Sequence, residues 1–208
     1  MTEETTEKFR YNQRLNDDNF FKKIGYKILM KFLRKYSKNI YRKIIQTPLV
    51  INVLPRPVEN KILNYFKDKS LTGCEIGVLR GDHSESMLKF LNIQKLYLID
   101  IWEGQVYYNE ALNRFKKNNK VQMIRSKSEN AYNRINDNEL DFIYIDGNHT
   151  FDYVYKDLSL YKNKVKNGGL ITGHDINRND VLQAVIKFCN ENDYKVDFMF
   201  PDFCIYKE

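Results

Sequence analysis

Two aspartates and two histidines are the residues with most chemistry to offer. Asp146 and His149 share the stretch Ile145-Asp146-Gly147-Asn148-His149, and His174-Asp175 closes the stretch that begins at Gly168-Gly169. The chain has only three histidines, so two of them fall in this one region. A carboxylate pair suits a hard divalent ion such as Mg²⁺ or Mn²⁺. An imidazole, with an ordinary pKa of about 6.5, can take a proton near neutrality. Together they suit the activation of a weak nucleophile such as a hydroxyl.

The elements that must position these residues follow from apolar patterning. Residues 142–145 and 170–172 are short apolar runs, each followed shortly by an acid, and 151–165 is long enough for one crossover helix. That is a βαβ unit with parallel strands. Ligands of such sheets bind outside the carboxyl ends of the strands, which is where Asp146 and Asp175 would lie. Upstream, 71–76 reads as a strand entering a turn with Gly77 and Gly81, and an apolar-periodic helix follows through Met87, Leu88 and Leu91. Glycines in a first βα turn let the backbone approach a ligand, and the helix N-terminus offers free N–H groups. The pattern Glu75-x-Gly77-x-x-x-Gly81 is not the dinucleotide fingerprint. Asp100 ends the next strand, 23 positions after Gly77, near the spacing of a ribose-binding acid. A third strand at 121–125 leads to Ser126 and Ser128, which read as a helix cap or as the border of a base site. A helix over 181–190 and two strands joined at Pro201-Asp202 complete the chain. The expectation is a Rossmann-like α/β fold with a seven-stranded, mostly parallel sheet and an antiparallel last strand.

Composition bounds the rest. At 208 residues, the chain suits one domain with appendages. Residues 1–60 hold 13 Lys/Arg against 6 Asp/Glu, which accounts for the whole net charge of +7. Residues 20–36 show helical periodicity with interleaved lysines, a basic amphipathic helix roughly 25 Å long. It reads as a cap on the core, a subunit contact or a peripheral membrane contact, the contact segment extending over 20–45. The three cysteines lack metal or disulfide spacing, and no apolar run is long enough to span a membrane. With no signal peptide legible at the start, the cytoplasm is the expected location. Domain boundaries are expected at 1–57 for the basic extension and linker, and 58–208 for the catalytic domain.

The ordered set Glu-x-Gly-x-x-x-Gly, an acid after the second strand, Ile-Asp-Gly-Asn-His and Gly-Gly-Leu-Ile-x-x-His-Asp resembles the class I S-adenosylmethionine-dependent methyltransferases. Within them it resembles the metal-dependent O-methyltransferase branch of macrolide-sugar and catechol enzymes. The resemblance implies that Glu75, Gly77 and Gly81 line the methionine and ribose side of S-adenosylmethionine. It implies that Asp100 binds the ribose hydroxyls, that Ile101 and Trp102 lie against the adenine, and that Ser126 and Ser128 lie at its edge. Asp146 and Asp175 match metal ligands, and His149 matches a general base. His174 stands where macrolide-type members carry an acid, and a histidine ligand shifts metal preference toward softer ions.

The implied function is methyl transfer to a hydroxyl of a small-molecule or glycan acceptor, a sugar first, with 104–120 and the N-terminal segment as the acceptor wall. Tyr107, Tyr108 and Phe115 read as a ring-stacking wall or as core. Two other classes stand beside this one: a nicotinamide-dependent dehydrogenase, and a non-catalytic cofactor-binding module docked through the basic helix. The 61–208 stretch is charge-balanced, so no nucleic-acid partner is expected. For each site residue a structural role is the plain alternative: Asp146 as a cap, the histidines as hydrogen-bonding groups, Asp157 as a surface acid or the partner of a base.

Overall fold

β1 (Leu71–Ile76) and β4 (Leu140–Ile145) are buried along their whole length, as strands covered on both faces must be. A computed structural model describes residues 55–208, which form one compact unit, Pro55–Glu208. The basic helix expected over 20–36 and the contact segment 20–45 lie outside the described residues. The other strands are β2 (Ile93–Asp100), β3 (Val121–Arg125), β5 (Val165–Gly173), β6 (Lys195–Met199) and β7 (Asp202–Tyr206). Their order is β3-β2-β1-β4-β5-β7-β6, and β7 runs antiparallel to both its neighbours while β1 to β5 are parallel. This is the seven-stranded sheet expected from the sequence.

Helices cover both faces. They are α1 (Pro57–Phe66), α2 (Asp82–Phe90), α3 (Gln105–Phe115), the short α4 (Ser128–Ala131), α5 (Phe151–Tyr161) and α6 (Asn179–Asn192). Side chains alternate across each strand. Leu96, Leu98, Phe142 and Tyr144 therefore pack with Val58, Ile62, Met87 and Phe115 of α1, α2 and α3. Ile99, Ile143 and Ile145 face the other way, onto Val154 and Leu158 of α5 and Val185 and Phe188 of α6. Each such side chain contributes about 1.5–3 kcal/mol by leaving water.

One boundary differs from the sequence reading. The crossover helix stops at Tyr161, and β5 begins at Val165, well before the apolar run. Val165 is fully buried and pairs with Leu140, and the register then shifts before Phe142 meets Leu170. The Gly168-Gly169 step that hid the strand from a hydrophobicity reading is its irregularity; Gly168 has φ +73°.

Strand register builds the functional edge. Ile76 pairs with Ile99 on one side and Ile145 on the other, and Ile145 pairs with Gly173. The ladder continues one step: Gly77 N–H donates to Ile99 O (2.9 Å), Asp146 N–H to Ile76 O (2.7 Å) and His174 N–H to Ile145 O (3.0 Å). Asp100, Gly77, Asp146 and His174 thus stand in a row across the C-terminal edge. Chain order reverses between β1 and β4, and that switch point is where open α/β sheets bind ligands.

Candidate active site

The edge holds two half-sites. The first is the glycine turn after β1 and the loop after β2. Gly77 and Gly81 have φ of +87° and +85°, a region that favours glycine. A Cβ on Gly81 would stand 2.3 Å from the Phe115 ring, so the turn lies flat on α3. Phe115 is therefore core, not an acceptor wall. Asp100 clamps the two loops together: its Oδ2 accepts from the backbone N–H groups of Val78 (2.8 Å) and Leu79 (2.9 Å), and Oδ1 from that of Trp102 (2.7 Å).

Trp102, expected against the adenine, is instead 2 % exposed, and its ring N–H donates to Leu79 O at 2.8 Å. The apolar ring is worth more in the core beside Tyr108 than at a wet edge, and φ of +42° turns it inward. Ile101 remains exposed at 45 %. Ser128 also departs from expectation. Lys127 is the N-cap residue of α4, so Ser128 is already helical, and its hydroxyl donates to Asp157 Oδ1 at 2.6 Å. Asp157 is not a surface acid. It is buried, and burial raises its carboxyl to about 6. Ser126 stays partly exposed at the end of β3, its backbone N–H on Asp100 O.

The second half-site lies beyond β4 and β5. His174 Nδ1 is 3.0 Å from Asp175 Oδ1 and 3.6 Å from Asp146 Oδ1. His149 Nε2 approaches the other Asp175 oxygen at 3.5 Å. All four side chains are partly exposed, between 20 % and 29 %. Asp175 has φ +59°, a strained turn that aspartate tolerates better than most residues. The structure thus brings together Asp146, His149, His174 and Asp175 as the sequence suggested.

Electrostatics separate their roles. Burial raises Asp146 to about 8, helped by the nearby Glu75, Asp175 and Asp202 carboxyls and opposed by Arg56. Burial lowers His174 to about 4, with Arg56 acting in the same direction and Asp175 against. His149 is lowered as well, chiefly by burial, so both imidazoles are neutral at pH 7. Among the described residues no group of three or more His, Cys, Asp or Glu side chains is arranged to hold a metal ion. Donors converge here, but as carboxyl and imidazole groups standing 3.0–3.6 Å apart and not as a closed cage.

Three participants were not legible in the sequence. Arg56 sits between Pro55 and Pro57 in what read as a linker, yet its guanidinium donates to the Tyr144 hydroxyl at 3.1 Å. That hydroxyl donates in turn to Asp202 Oδ1 at 2.9 Å, and Asp202 lies 4.0 Å from His174 Nε2. Tyr144 reads as one more apolar strand residue, and Asp202 as a turn residue. Only the antiparallel return of β7 beside β5 brings Asp202 to the site.

The comparisons with known proteins agree with this geometry. A family described as a methyltransferase domain matches residues 74–176, from within β1 to just past β5, which spans both half-sites. A structural-genomics protein of Corynebacterium glutamicum is similar at 12 % identity, covering 88 % of this chain and 97 % of that one, with a TM-score of 0.60. A Staphylococcus aureus protein described as a candidate caffeoyl-CoA O-methyltransferase is similar at 18 % identity, covering 88 % of this chain and 98 % of that one (TM-score 0.57). MycE, the methyltransferase of the mycinamycin biosynthetic pathway solved with Mg and S-adenosylhomocysteine, is similar at 15 % identity, covering 73 % of this chain and 48 % of that one (TM-score 0.54). No protein of curated function matches the sequence. The family match lies on the glycine turn, the switch point and the Asp-His edge of this sheet, so residues 74–176 carry a methyltransferase domain within a Rossmann-like methyltransferase fold.

Proposed function

We propose that this chain transfers the methyl group of S-adenosylmethionine to a hydroxyl oxygen of a small-molecule or glycan acceptor, with His149 as general base. The approach of His149 Nε2 to Asp175 Oδ2 at 3.5 Å carries the reading. A carboxyl group on that side favours the imidazole proton on Nε2 and leaves Nδ1 as the basic atom. A neutral hydroxyl is a poor nucleophile, and a positioned base speeds its attack by about 10²–10⁴. Alignment of the acceptor with the methyl group supplies most of the remainder.

Glu75, Gly77 and Gly81 hold the methionine and ribose side of the cofactor in this reading. Asp100 takes the ribose hydroxyls, Ile101 the adenine face and Ser126 its edge. Support comes from the left-handed glycine turn, which presents bare backbone beside the switch point. The acceptor we favour is a sugar hydroxyl. Tyr107 supports it, being 37 % exposed with Arg80 stacked over its ring at 5.2 Å.

Asp146 and Asp175 suit Mg²⁺ or Mn²⁺ in one respect: such ions keep several waters and need only one or two carboxylates. When bound, the ion would lower the pKa of an acceptor hydroxyl. His174, neutral and 3.0 Å from Asp175, would complete the set or orient that carboxylate. The test is transfer of labelled methyl to a panel of sugars and catechols, with and without chelator. Turnover lost in His149→Ala while cofactor affinity is kept supports the reading. Equal loss of both, or transfer untouched in that variant, sinks it.

A further inference from the structure

Glu75 belongs to a buried trio. It is 1 % exposed, on the sheet face covered by α1 and α2. His83 of α2 places Nδ1 3.1 Å from Glu75 Oε1, and Nε2 3.5 Å from Oε1 of Glu59 in α1. The far oxygens are already engaged: Ser84 Oγ donates to Glu75 Oε2, and Arg56 N–H donates to Glu59 Oε2 at 2.6 Å. Glu59 is fully buried, and the His83 side chain is 9 % exposed.

Counting protons decides what this trio is. A neutral imidazole carries one N–H and offers a lone pair at its other nitrogen. With that proton on Nδ1, toward Glu75, Nε2 and Glu59 Oε1 face each other as two acceptors. Those two atoms, with the neighbouring Ser86 Oγ, are buried without a hydrogen-bond partner; a Ser86 hydroxyl turned to Glu59 gives that carboxyl a donor but leaves Nε2 still facing an acceptor. Buried unpaired acceptors are costly, and one added proton removes the conflict. Placed on Glu59 Oε1, it donates to Nε2. Placed on Glu75 Oε1, with the ring proton moved to Nε2, it runs the chain the other way.

The surroundings agree. Burial raises Glu75 to about 8, raises Glu59, and lowers His83 to about 3. Arg56 faces all three groups from the segment before α1, Asp82 and Asp100 face Glu75, and Ser86 lies beside Glu59. Glu75 also faces Asp146 beyond β4, and the Tyr144 ring packs on His83 with centroids 4.1 Å apart.

We propose that Glu59 and His83 are positioning residues that share one proton with Glu75 and relay it, making Glu75 a carboxylate when the cofactor's α-ammonium arrives. The proposal rests on the reading above that Glu75 lines the amino-acid end of S-adenosylmethionine. In the step, the proton on Glu75 Oε1 passes to Nδ1, the proton on Nε2 passes to Glu59 Oε1, and the ring double bonds shift. The trio carries one negative charge before and after, and no proton reaches solvent.

The experiment is calorimetric binding of S-adenosylhomocysteine, which has the same α-ammonium, in phosphate and in Tris. Wild type, Glu59→Gln and His83→Gln are compared; the exchanges are close in size, and either variant alone suffices. Wild type is expected to give the same heat in both buffers. Each variant, with its relay cut, must release a proton on binding: its heat differs between buffers, and between about pH 6.5 and 7.5 its Kd tightens about 10-fold per pH unit. Buffer-dependent heat in wild type, or buffer-independent heat in a folded variant, overturns the relay. A wild type that binds neither S-adenosylhomocysteine nor S-adenosylmethionine overturns the cofactor reading itself, and the relay with it.

Discussion

The backbone of Gly77 lies against the carbonyl of Asp146 so closely that a Cβ built on the glycine would stand 2.1 Å from that oxygen. The turn after β1 and the loop after β4 are therefore one packed unit, joining the glycine half-site to the acidic one. Gly77 also has φ +87°, so an alanine there meets a clash and a strained backbone together. Gly77→Ala should cost about 2–4 kcal/mol of stability, from overpacking and the left-handed penalty. Denaturant unfolding followed by the single tryptophan, Trp102, measures it. A change within experimental error would mean that the two loops separate easily.

His149 gives a pH signature. Burial lowers its pKa below the ordinary 6.5, and the unprotonated ring is the form that accepts a proton. The rate should be level through neutrality and fall only as the pH drops below that value. In Asp175→Asn the bias of the proton toward Nε2 is weakened, so kcat should fall by about 10–10², no more than the full contribution of a general base, with KM for the cofactor little changed. Steady-state profiles of both enzymes check this. An acid limb that persists unaltered in His149→Gln would assign it to another group.

Ser128 and Asp157 test a structural pairing. Removing the hydroxyl leaves a buried carboxyl short of its donor, so Ser128→Ala should destabilise by about 1–3 kcal/mol. Cofactor affinity should hold. If stability is unchanged but affinity collapses, Ser128 belongs to the adenine edge after all.

Stability should fall as the pH rises from 6.5 to 8.5. Glu75 and Asp146 are raised to about 8 from ordinary values of 4.5 and 3.8. Acids raised by folding stabilise fully below their unfolded values and lose that contribution as the pH climbs through the folded ones. His83 and His174 are lowered from 6.5 to about 3 and about 4, so their effect is confined to pH below 6.5 and has the opposite sign. Thermal melts of the cofactor-free protein should give a higher Tm at pH 6.5 than at 8.5. The reverse order would show that Glu75 and Asp146 are ionised in the native state.

The sequence by itself determined the number of strands, their mostly parallel run and the residues at their ends, though not the sheet order or the start of β5. Buried strands must be apolar on both faces, and glycine must occupy a left-handed turn; those demands are local, so Gly77, Gly81, Asp146, His149 and Asp175 could be read in place. It did not reveal where side chains find their partners. Trp102 follows the strand as an adenine contact would, but a large ring gains more in the core than at a wet edge. Ser128 looks like a cap, yet Asp157 on the neighbouring helix takes its hydroxyl. Arg56, Glu59 and Asp202 lie far from the site residues along the chain. Only the packing of α1 on the sheet and the return of β7 beside β5 bring them in. Ionisable groups acquire their roles from burial and neighbours, and both are properties of the tertiary fold.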